Sequence, residues 1–559
     1  MENRPWLKFY DDGVPHTLDV PDVTIPDFLR RAAAEYPNHP ATVFMGARLT
    51  YRQLLAHVQK FAGALQSLGV QPGDRVGIIL PNSPQMVIAY YAVLWVGGVT
   101  VLTNPLYVER ELVHQWGDAG VSAVITLDLM FPKVDAVCRE LNIERIIATG
   151  VQDFLPLLKA LAMPFLLKKN GKWVDVPYDG KRIFSFKKLL KSSPKNDPHP
   201  AEPTALACLQ YTGGTTGLPK GAMLSHRNLV ASVSQIRHFL LQGHQPATDR
   251  AVVILPIFHV YGMAVMNLGM HIAATLVLLP RFEIKDLVDA IKTEKPTFFL
   301  GVPALYTAVL NFPGADAVDM TSIKVCFSGG APLPVEIIRQ FEAKTGARIA
   351  EAYGMTEAAS VTHVNPREGV RKYGTVGVPT VGTDAKIVSV EDGKTEMPVG
   401  EPGELLVKGP QVMSGYWHRP EETAQTLTNG WLHTGDIAVM DEDGYFTIVD
   451  RKKDMILTAG FNVYPREVEE VLYTHPKIEE AAVIGVPHKV RGEQITAYVK
   501  LKAGETATAG EIRRFCREHL AEYKVPRKVI FRDELPMSLA GKVLRRVLRD
   551  EALAGMNRD

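Results

Sequence analysis

Short apolar runs alternate with amphipathic stretches over the first 330 positions. RVGIILP, VTVLTN, AVITLD and RIIATG are β-rich runs separated by segments of helical period, up to about residue 150. AVVILP, TLVLLP, PTFFLG and KVCFSG repeat the theme between 251 and 328. Strands apolar on both faces and spaced by helices predict parallel sheets covered by helices. From about 370 the texture changes. TVGVP, DAKIVSV, GELLVKG and GYFTIVD are strands separated by turns such as EDGK and DEDG, which predicts a smaller antiparallel element. The glycine of DEDG is misplaced for a calcium-binding EF-hand loop, so that tetrapeptide reads as a hairpin turn. After DRKKD at 450–454 the pattern becomes α+β: VYPREVEEVLYTHP and AGEIRRFCREHLA as helices, EEAAVIGVP and QITAYVKL as strands. A domain boundary is placed there.

Two stretches, 76–108 and 251–280, lack Asp, Glu, Lys and Arg, and each is long enough to span a bilayer. Both are punctuated, the first by a Pro/Asn/Ser turn and a Gly pair, the second at Pro256, His259 and Gly262. They read as buried β-α-β units rather than membrane spans. The N-terminus, MENRPWLKFYDDG, is charged where a secretion signal is apolar. Among 559 residues, 62 Lys and Arg balance 61 Asp and Glu, a net charge of +1 that argues against a general nucleic-acid binder. Four cysteines, at 138, 208, 326 and 516, form no CxxC pair, which argues against a zinc or redox motif and for a reducing compartment. The expected location is the cytoplasm.

Residues 155–195 stand apart, with ten Lys or Arg against two Asp, interleaved with Leu, Phe, Trp and Ile. Two readings are open. One is a membrane-surface patch, which would put the protein peripherally on the inner face of the cell membrane. The other is a solvated basic face whose apolar residues point into the core.

The strongest chemical signal is YTGGTTGLPKG at 211–221. Its glycines let several backbone N–H groups converge on one anion. Threonine hydroxyls add donors and Lys220 adds charge. It is a phosphate cradle but not a Walker A loop, since Pro219 precedes the lysine and Gly221 replaces the magnesium-binding Ser or Thr. A β-prone run, ALACLQY, precedes it, and a helix follows at SHRNLVASVSQIRHFL with Ser225 as candidate cap. Further along come LPIFHVYG at 255–262, SGGAPLP at 328–334, EAYGMTE at 351–357, GWLHTGD at 430–436, DRKKDMILTAGFNVYPREVE at 450–469 and PMSLAGKVLRR at 536–546.

In these seven motifs and their order the chain resembles the acyl-adenylate-forming superfamily, with acyl-CoA synthetases, firefly luciferase and peptide-synthetase adenylation domains. The resemblance covers nearly the whole length and is closest to bacterial long-chain fatty acid–CoA ligases. It implies an α/β fold with a large N-terminal domain over 1–450, two parallel-rich sheets packed with helices plus a small β-barrel-like part. A small mobile α+β C-terminal domain would cover 451–559. It implies two steps: a fatty acid and ATP give acyl-AMP and pyrophosphate, then the acyl group passes to CoA. An aryl or medium-chain acid–CoA ligase and an adenylate-only ligase are the alternatives.

The resemblance also assigns residues. Thr212, Gly213, Gly214, Thr215, Thr216, Gly217 and Lys220 would hold the β- and γ-phosphates, and Glu357 magnesium. Thr356 would bond the α-phosphate and Tyr353 stack on adenine, beside Gly354 and Met355. Gly329, Gly330, Ala331 and Pro332 would let adenine approach the backbone. Asp436 would accept the ribose hydroxyls, with Arg451 helping. His259, Tyr261 and Gly354 would line the acyl site. Lys542 would reach the carboxylate and α-phosphate during adenylation. Lys453 would be the hinge about which the small domain rotates, and Ala459 and Gly460 would face the pantetheine path. His226, beside the phosphate loop, reads as structural. Partners would be small-molecule substrates, with a homodimer left open.

Overall fold

A computed structural model describes residues 4–212, 219–458, 461–488, 491–537 and 543–556. Two large sheets dominate. The first runs Ile183–Ser185, Ile146–Thr149, Val121–Leu127, Arg75–Ile79, Val99–Leu102, Leu206–Thr212, Lys220–Ser225, and only its last pair is antiparallel. The second has nine strands, parallel from Ile349–Met355 through Val325–Gly329, Phe298–Gly301, Arg250–Val253 and Thr275–Leu278 to Pro40–Phe44, with antiparallel strands at both edges. Both uncharged stretches are strand–helix–strand units. Every residue of the helix Pro84–Trp95 is buried, so its apolar surface faces protein on all sides. Among the described residues no helix is long and apolar enough to cross a membrane.

The two sheets are stitched at one buried amide. Asn82, at the end of the strand Arg75–Ile79, donates from Nδ2 to Val253 O (3.1 Å) and Leu255 O (2.9 Å), and its Oδ1 accepts from Ile257 N (2.9 Å). This bond set fixes where the chain leaves the second sheet on its way to His259.

The predicted antiparallel element is a sheet in which Gly403–Lys408 lies between Asp384–Val388 and Trp431–Met440, and Phe446–Arg451 pairs with the latter. The DEDG segment turns between those last two strands. Asp441 N donates to Tyr445 O (3.0 Å), and Gly444 takes a φ of 83°. The C-terminal residues form a five-stranded sheet centred on Ile478–His488 and Gly492–Leu501. The helices Pro465–Tyr473 and Ala509–His519 cover it through Val468, Leu472, Ile512 and Cys516. All four cysteines are buried and unpaired with one another.

The helix read at SHRNLVASVSQIRHFL forms, with Ser225 as its cap, but a strand that the sequence reading did not name lies between it and the phosphate loop. The loop joins two antiparallel strands, with Thr212 opposite Lys220. Only after the strand Lys220–Ser225 does the helix His226–Leu240 begin, with Ser225 Oγ accepting from Asn228 N at 3.1 Å. The run GAMLS was short enough to be absorbed into the loop, yet its Ala222 and Leu224 are fully buried.

Candidate functional site

Several of the quoted motifs converge where the strands Val325–Gly329 and Ile349–Met355 end. These strands are parallel, with Gly329 opposite Ala352, so their C-terminal ends emerge together, the usual place for a site in an open α/β sheet. Gly330 has a φ of 86°, a turn that glycine makes without strain. Gly329 lies under the Tyr261 ring, whose hydroxyl donates to Phe327 O (3.2 Å) and Gly301 O (3.3 Å). Ala331 and Pro332 continue the same turn.

Just beyond, the chain is held tightly. A Cβ on Gly354 would lie 1.5 Å from Ser360 O. Ala359 and Ser360 take φ values of 49° and 116°, conformations that cost a non-glycine residue about 1–3 kcal/mol. This strained return wraps the short helix Thr356–Ala358 and sinks Glu357, which is only 9% exposed. Burial raises the Glu357 pKa above the ordinary carboxylate range, opposed chiefly by a hydrogen bond from Tyr416 Oη to Glu357 Oε1 at 2.7 Å. The Tyr416 ring in turn carries Lys220, whose Nζ is 5.2 Å from the ring centroid and 3.8 Å from Glu422. Thus the last residues before and after the phosphate loop are fixed: Thr212 by the strand ladder, Lys220 on Tyr416. Residues 213–217, named for this loop, lie outside the described residues.

Asp436 approaches from the third sheet. Its Oδ2 accepts from Tyr353 Oη (2.5 Å), and its Oδ1 lies 3.3 Å from Arg451 Nε. Asp436 and Arg451 face each other across a strand pair. A carboxylate has about four lone-pair sites, so Asp436 retains capacity for further donors. Gly354, Met355, Thr356 and Glu357 follow Tyr353 directly, which places both carboxylates on the same short stretch of wall.

Lys453 follows Arg451 by two residues. Burial and the Arg451 charge lower its pKa to about 8, while Asp454, Asp436 and Glu357 oppose that shift. Its ammonium is therefore within electrostatic reach of both carboxylates of the wall. Nearby, Arg545 gathers three acids. It reaches Glu469 (2.6 Å), Asp450 (3.3 Å) and Asp454 (3.3 Å). Asp450 also accepts from Arg466 N at 2.6 Å. Lys542, Ala459 and Gly460 lie outside the described residues, so their placement relative to this wall is not part of the geometry. Three residues after Lys542, however, the chain is clamped to the segment that contains Lys453.

His259 caps the helix Val260–His271, its Nδ1 accepting from Tyr261 N at 3.3 Å. Between this helix and His226–Leu240 runs a narrow apolar slot, lined by Ile236, Leu240, Tyr261, Val265, Leu268 and Ser360. Its volume is about 10 Å³, and Ser360, in its lining, lies against Gly354. His226 is structural, as read from the sequence. Its Nδ1 accepts from Ile25 N at 3.3 Å, and burial lowers its pKa to about 4.

Tyr416 and Arg545 escaped the sequence reading. Tyr416 sits in VMSGYWHRPEET, which no chemistry singled out, and Arg545 in the basic run KVLRR. Neither role is visible without knowing which acids lie opposite.

The matches to known proteins agree with this geometry. Residues 29–417 match the family model described as AMP-binding enzyme, and 467–542 match the AMP-binding enzyme C-terminal domain. A long-chain-fatty-acid–CoA ligase of Bacillus subtilis (strain 168) is 45% identical over 560 residues, covering 99% of this chain and 98% of its own. The enzyme of that description from Escherichia coli O6:H1 is 39% identical, covering 98% of each. Among solved structures, ATP-bound MatB from Rhodopseudomonas palustris superposes with a TM-score of 0.83 at 30% identity, over 95% of this chain and 99% of that one.

Proposed function

The chain belongs to the AMP-binding enzyme family, and on that premise we propose that it joins a long-chain fatty acid to CoA through an acyl-adenylate. The observation that carries the acid's identity is the likeness, over nearly the whole chain, to long-chain-fatty-acid–CoA ligases at 45% and 39% identity.

A carboxylate is a poor electrophile, and its oxygen leaves badly. Bonding that oxygen to the α-phosphorus of ATP expels pyrophosphate and makes AMP the leaving group for the second step. The first step loads charge onto phosphoryl oxygens, and this chain's residues answer with donors and cations. Thr212, residues 213–217 and Lys220 take the β- and γ-phosphates. Thr356 bonds the α-phosphate. Tyr353, Gly354, Met355 and Gly329 to Pro332 form the adenine cleft, while Asp436 and Arg451 hold the ribose. Glu357 suits magnesium, because it is a buried carboxylate with a hydroxyl donor and, among the described residues, no ion-pair partner. When bound, the metal would neutralise phosphate charge. Lys542 delivers its ammonium to the carboxylate and α-phosphate, then withdraws as residues 451–559 rotate about Lys453, and Ala459 and Gly460 border the thiol's path.

The helix Leu157–Lys169 supports collection of substrate from a bilayer. It has no buried residue, and Leu157, Leu158 and Phe165 are 74%, 82% and 76% exposed. Of the two sequence readings of 155–195, the core-facing one holds for Leu155, Ile183 and Phe186, which are buried, and not for this helix. Lys159, Lys168 and Lys169 flank its exposed side chains, as an interfacial helix on anionic lipid requires. Peripheral attachment to the inner face of the cell membrane follows, and charge reversal of Lys168, Lys169, Lys187 and Lys188 should abolish salt-sensitive vesicle binding.

The deciding experiment is an acid panel from acetate through palmitate to coumarate, scored for ATP- and CoA-dependent thioester. Palmitate should lead. A preference for coumarate or octanoate overturns the long-chain reading, and adenylate without thioester overturns the CoA step. Lys542→Ala should abolish acyl-AMP formation far more than thioester formation from supplied acyl-AMP.

A further inference from the structure

The helix Glu109–Ala119 turns one face toward the phosphate loop. Two of its residues, His114 and Asp118, stand one turn apart and therefore share that face. The side chains between them pin the helix to the sheet. Gln115 Nε2 donates to Leu102 O (3.1 Å), and Trp116 Nε1 donates to Thr103 Oγ1 (3.0 Å). Both bonds seat it at the end of the strand Val99–Leu102, the parallel neighbour of Leu206–Thr212, from which the loop departs.

His114 reaches the chain where it leaves the loop. Its Nε2 lies 3.0 Å from Pro219 O, and a carbonyl only accepts, so the ring donates. In a planar trans peptide the C=O and N–H point in opposite directions. Holding the Pro219 carbonyl on the helix therefore sets the Lys220 N–H on the side away from it, and keeps a carbonyl oxygen from turning toward a bound phosphate. Asp118 reaches the chain where it enters the loop. Its Oδ2 accepts from Tyr211 Oη at 2.6 Å. Burial, then Asp118 itself, raises the Tyr211 pKa above the ordinary phenol range, so the hydroxyl keeps its proton. The Asp118 carbonyl accepts from Trp417 Nε1 (3.2 Å), and its Oδ1 lies 3.4 Å from Arg419 Nη2. Trp417 follows Tyr416, whose ring carries Lys220. One helix face thus holds both stems of the loop and the segment that supports its lysine. Residues 213, 214 and 217 between the stems are glycine, the residue that loses most conformational freedom on ordering. Stems held beforehand lower the entropy that ATP binding must overcome.

We infer that His114 is a positioning residue for the β- and γ-phosphates of ATP, acting through the Pro219 carbonyl, with Asp118 its counterpart at Tyr211. The inference rests on the acyl-adenylate reading above.

The test measures the two half-reactions of the full-length enzyme separately in two variants. His114→Phe keeps a ring and loses the donor, and His114→Gln returns a donor at similar reach. Acyl-AMP carries neither the β- nor the γ-phosphate, so thioester formation from supplied acyl-AMP does not need the loop. His114→Phe should raise the KM for ATP in acid-dependent pyrophosphate release about tenfold, the factor expected for one such hydrogen bond, and leave the KM for the fatty acid and the rate of thioester formation within about twofold. His114→Gln should recover most of the loss. Tyr211→Phe, which removes only the hydroxyl at the other stem, should raise the KM for ATP in the same selective way, and it decides the matter should His114→Phe fail to fold by its thermal midpoint. Equal losses in both half-reactions, an unchanged KM for ATP in the folded variants, or no recovery with glutamine overturns the inference alone. No acid-dependent pyrophosphate release from the unaltered enzyme overturns the acyl-adenylate reading, and this inference with it.

Discussion

Replacing Arg545 with Gln leaves buried acids without their cation. The side chains of Asp450 and Glu469 are 2% and 11% exposed. Burial already raises both carboxyl pKa values, and Arg545 is the largest influence opposing that rise in each. Removing one partner of a buried ion pair costs about 3–5 kcal/mol, and glutamine retains volume and a donor, so the lower end applies. Asp454 adds little, because its charge is more accessible. The cost falls on the unit that Arg545 ties together, the helices Pro465–Tyr473 and Arg545–Met556 against the 450–454 segment. Amide exchange in Pro465–Tyr473 should therefore accelerate about a hundredfold at pH 8, with the large sheets unaffected. The pH dependence has a fixed sign. In the variant the stranded carboxyls have folded pKa values above their unfolded ones, so the penalty vanishes below the unfolded values and grows as pH rises through the folded ones. The deficit at pH 5 should be smaller than at pH 8. Unchanged exchange at pH 8, or a deficit that grows on acidification, would falsify the clamp.

Three further perturbations probe the wall. Gly354→Ala should abolish acyl-AMP formation, measured by pyrophosphate release, because the added Cβ meets Ser360 O at 1.5 Å and must displace the Glu357 loop; wild-type rates would show that the return is not held as described. Tyr416→Phe removes the hydrogen bond that opposes the raised pKa of Glu357, so the acidic limb of the adenylation profile should move to higher pH, with activity lost more at pH 6 than at pH 8. An unmoved limb would dissociate Glu357 ionisation from the step. Lys453, with its pKa lowered to about 8, should be acetylated at pH 7.5 on the order of a hundredfold faster than an ordinary lysine of equal accessibility. Peptide mapping after brief acetic anhydride treatment reads this directly, and labelling no faster than at Lys386 would contradict it.

The strands of both large sheets were legible because buried parallel strands are written as uninterrupted β-branched runs, such as VTVL at 99–102. The strand Lys220–Ser225 was not legible. It abuts a glycine-rich loop and a capping serine, and both signals compete with a weak alternation. The wall residues Glu357 and Asp436 could be named from motif and chemistry. Their partners could not. Tyr416 reaches Glu357 across 59 positions and Arg545 reaches Asp450 across 95, and no local periodicity encodes such a meeting. The exposure of Leu157–Lys169 was equally undecidable beforehand, since a basic-apolar helix has the same composition whether its leucines face a core or water.

The cross-strand pairing of Thr212 with Lys220 makes the anion loop hostage to register. Side chains alternate along a ladder, so a slip of one position would carry the Lys220 ammonium to the opposite side of the sheet and away from the Tyr416 ring. Transplanting this loop into another scaffold thus means transplanting the hairpin's phase along with the glycines. A helix terminus imposes no such parity.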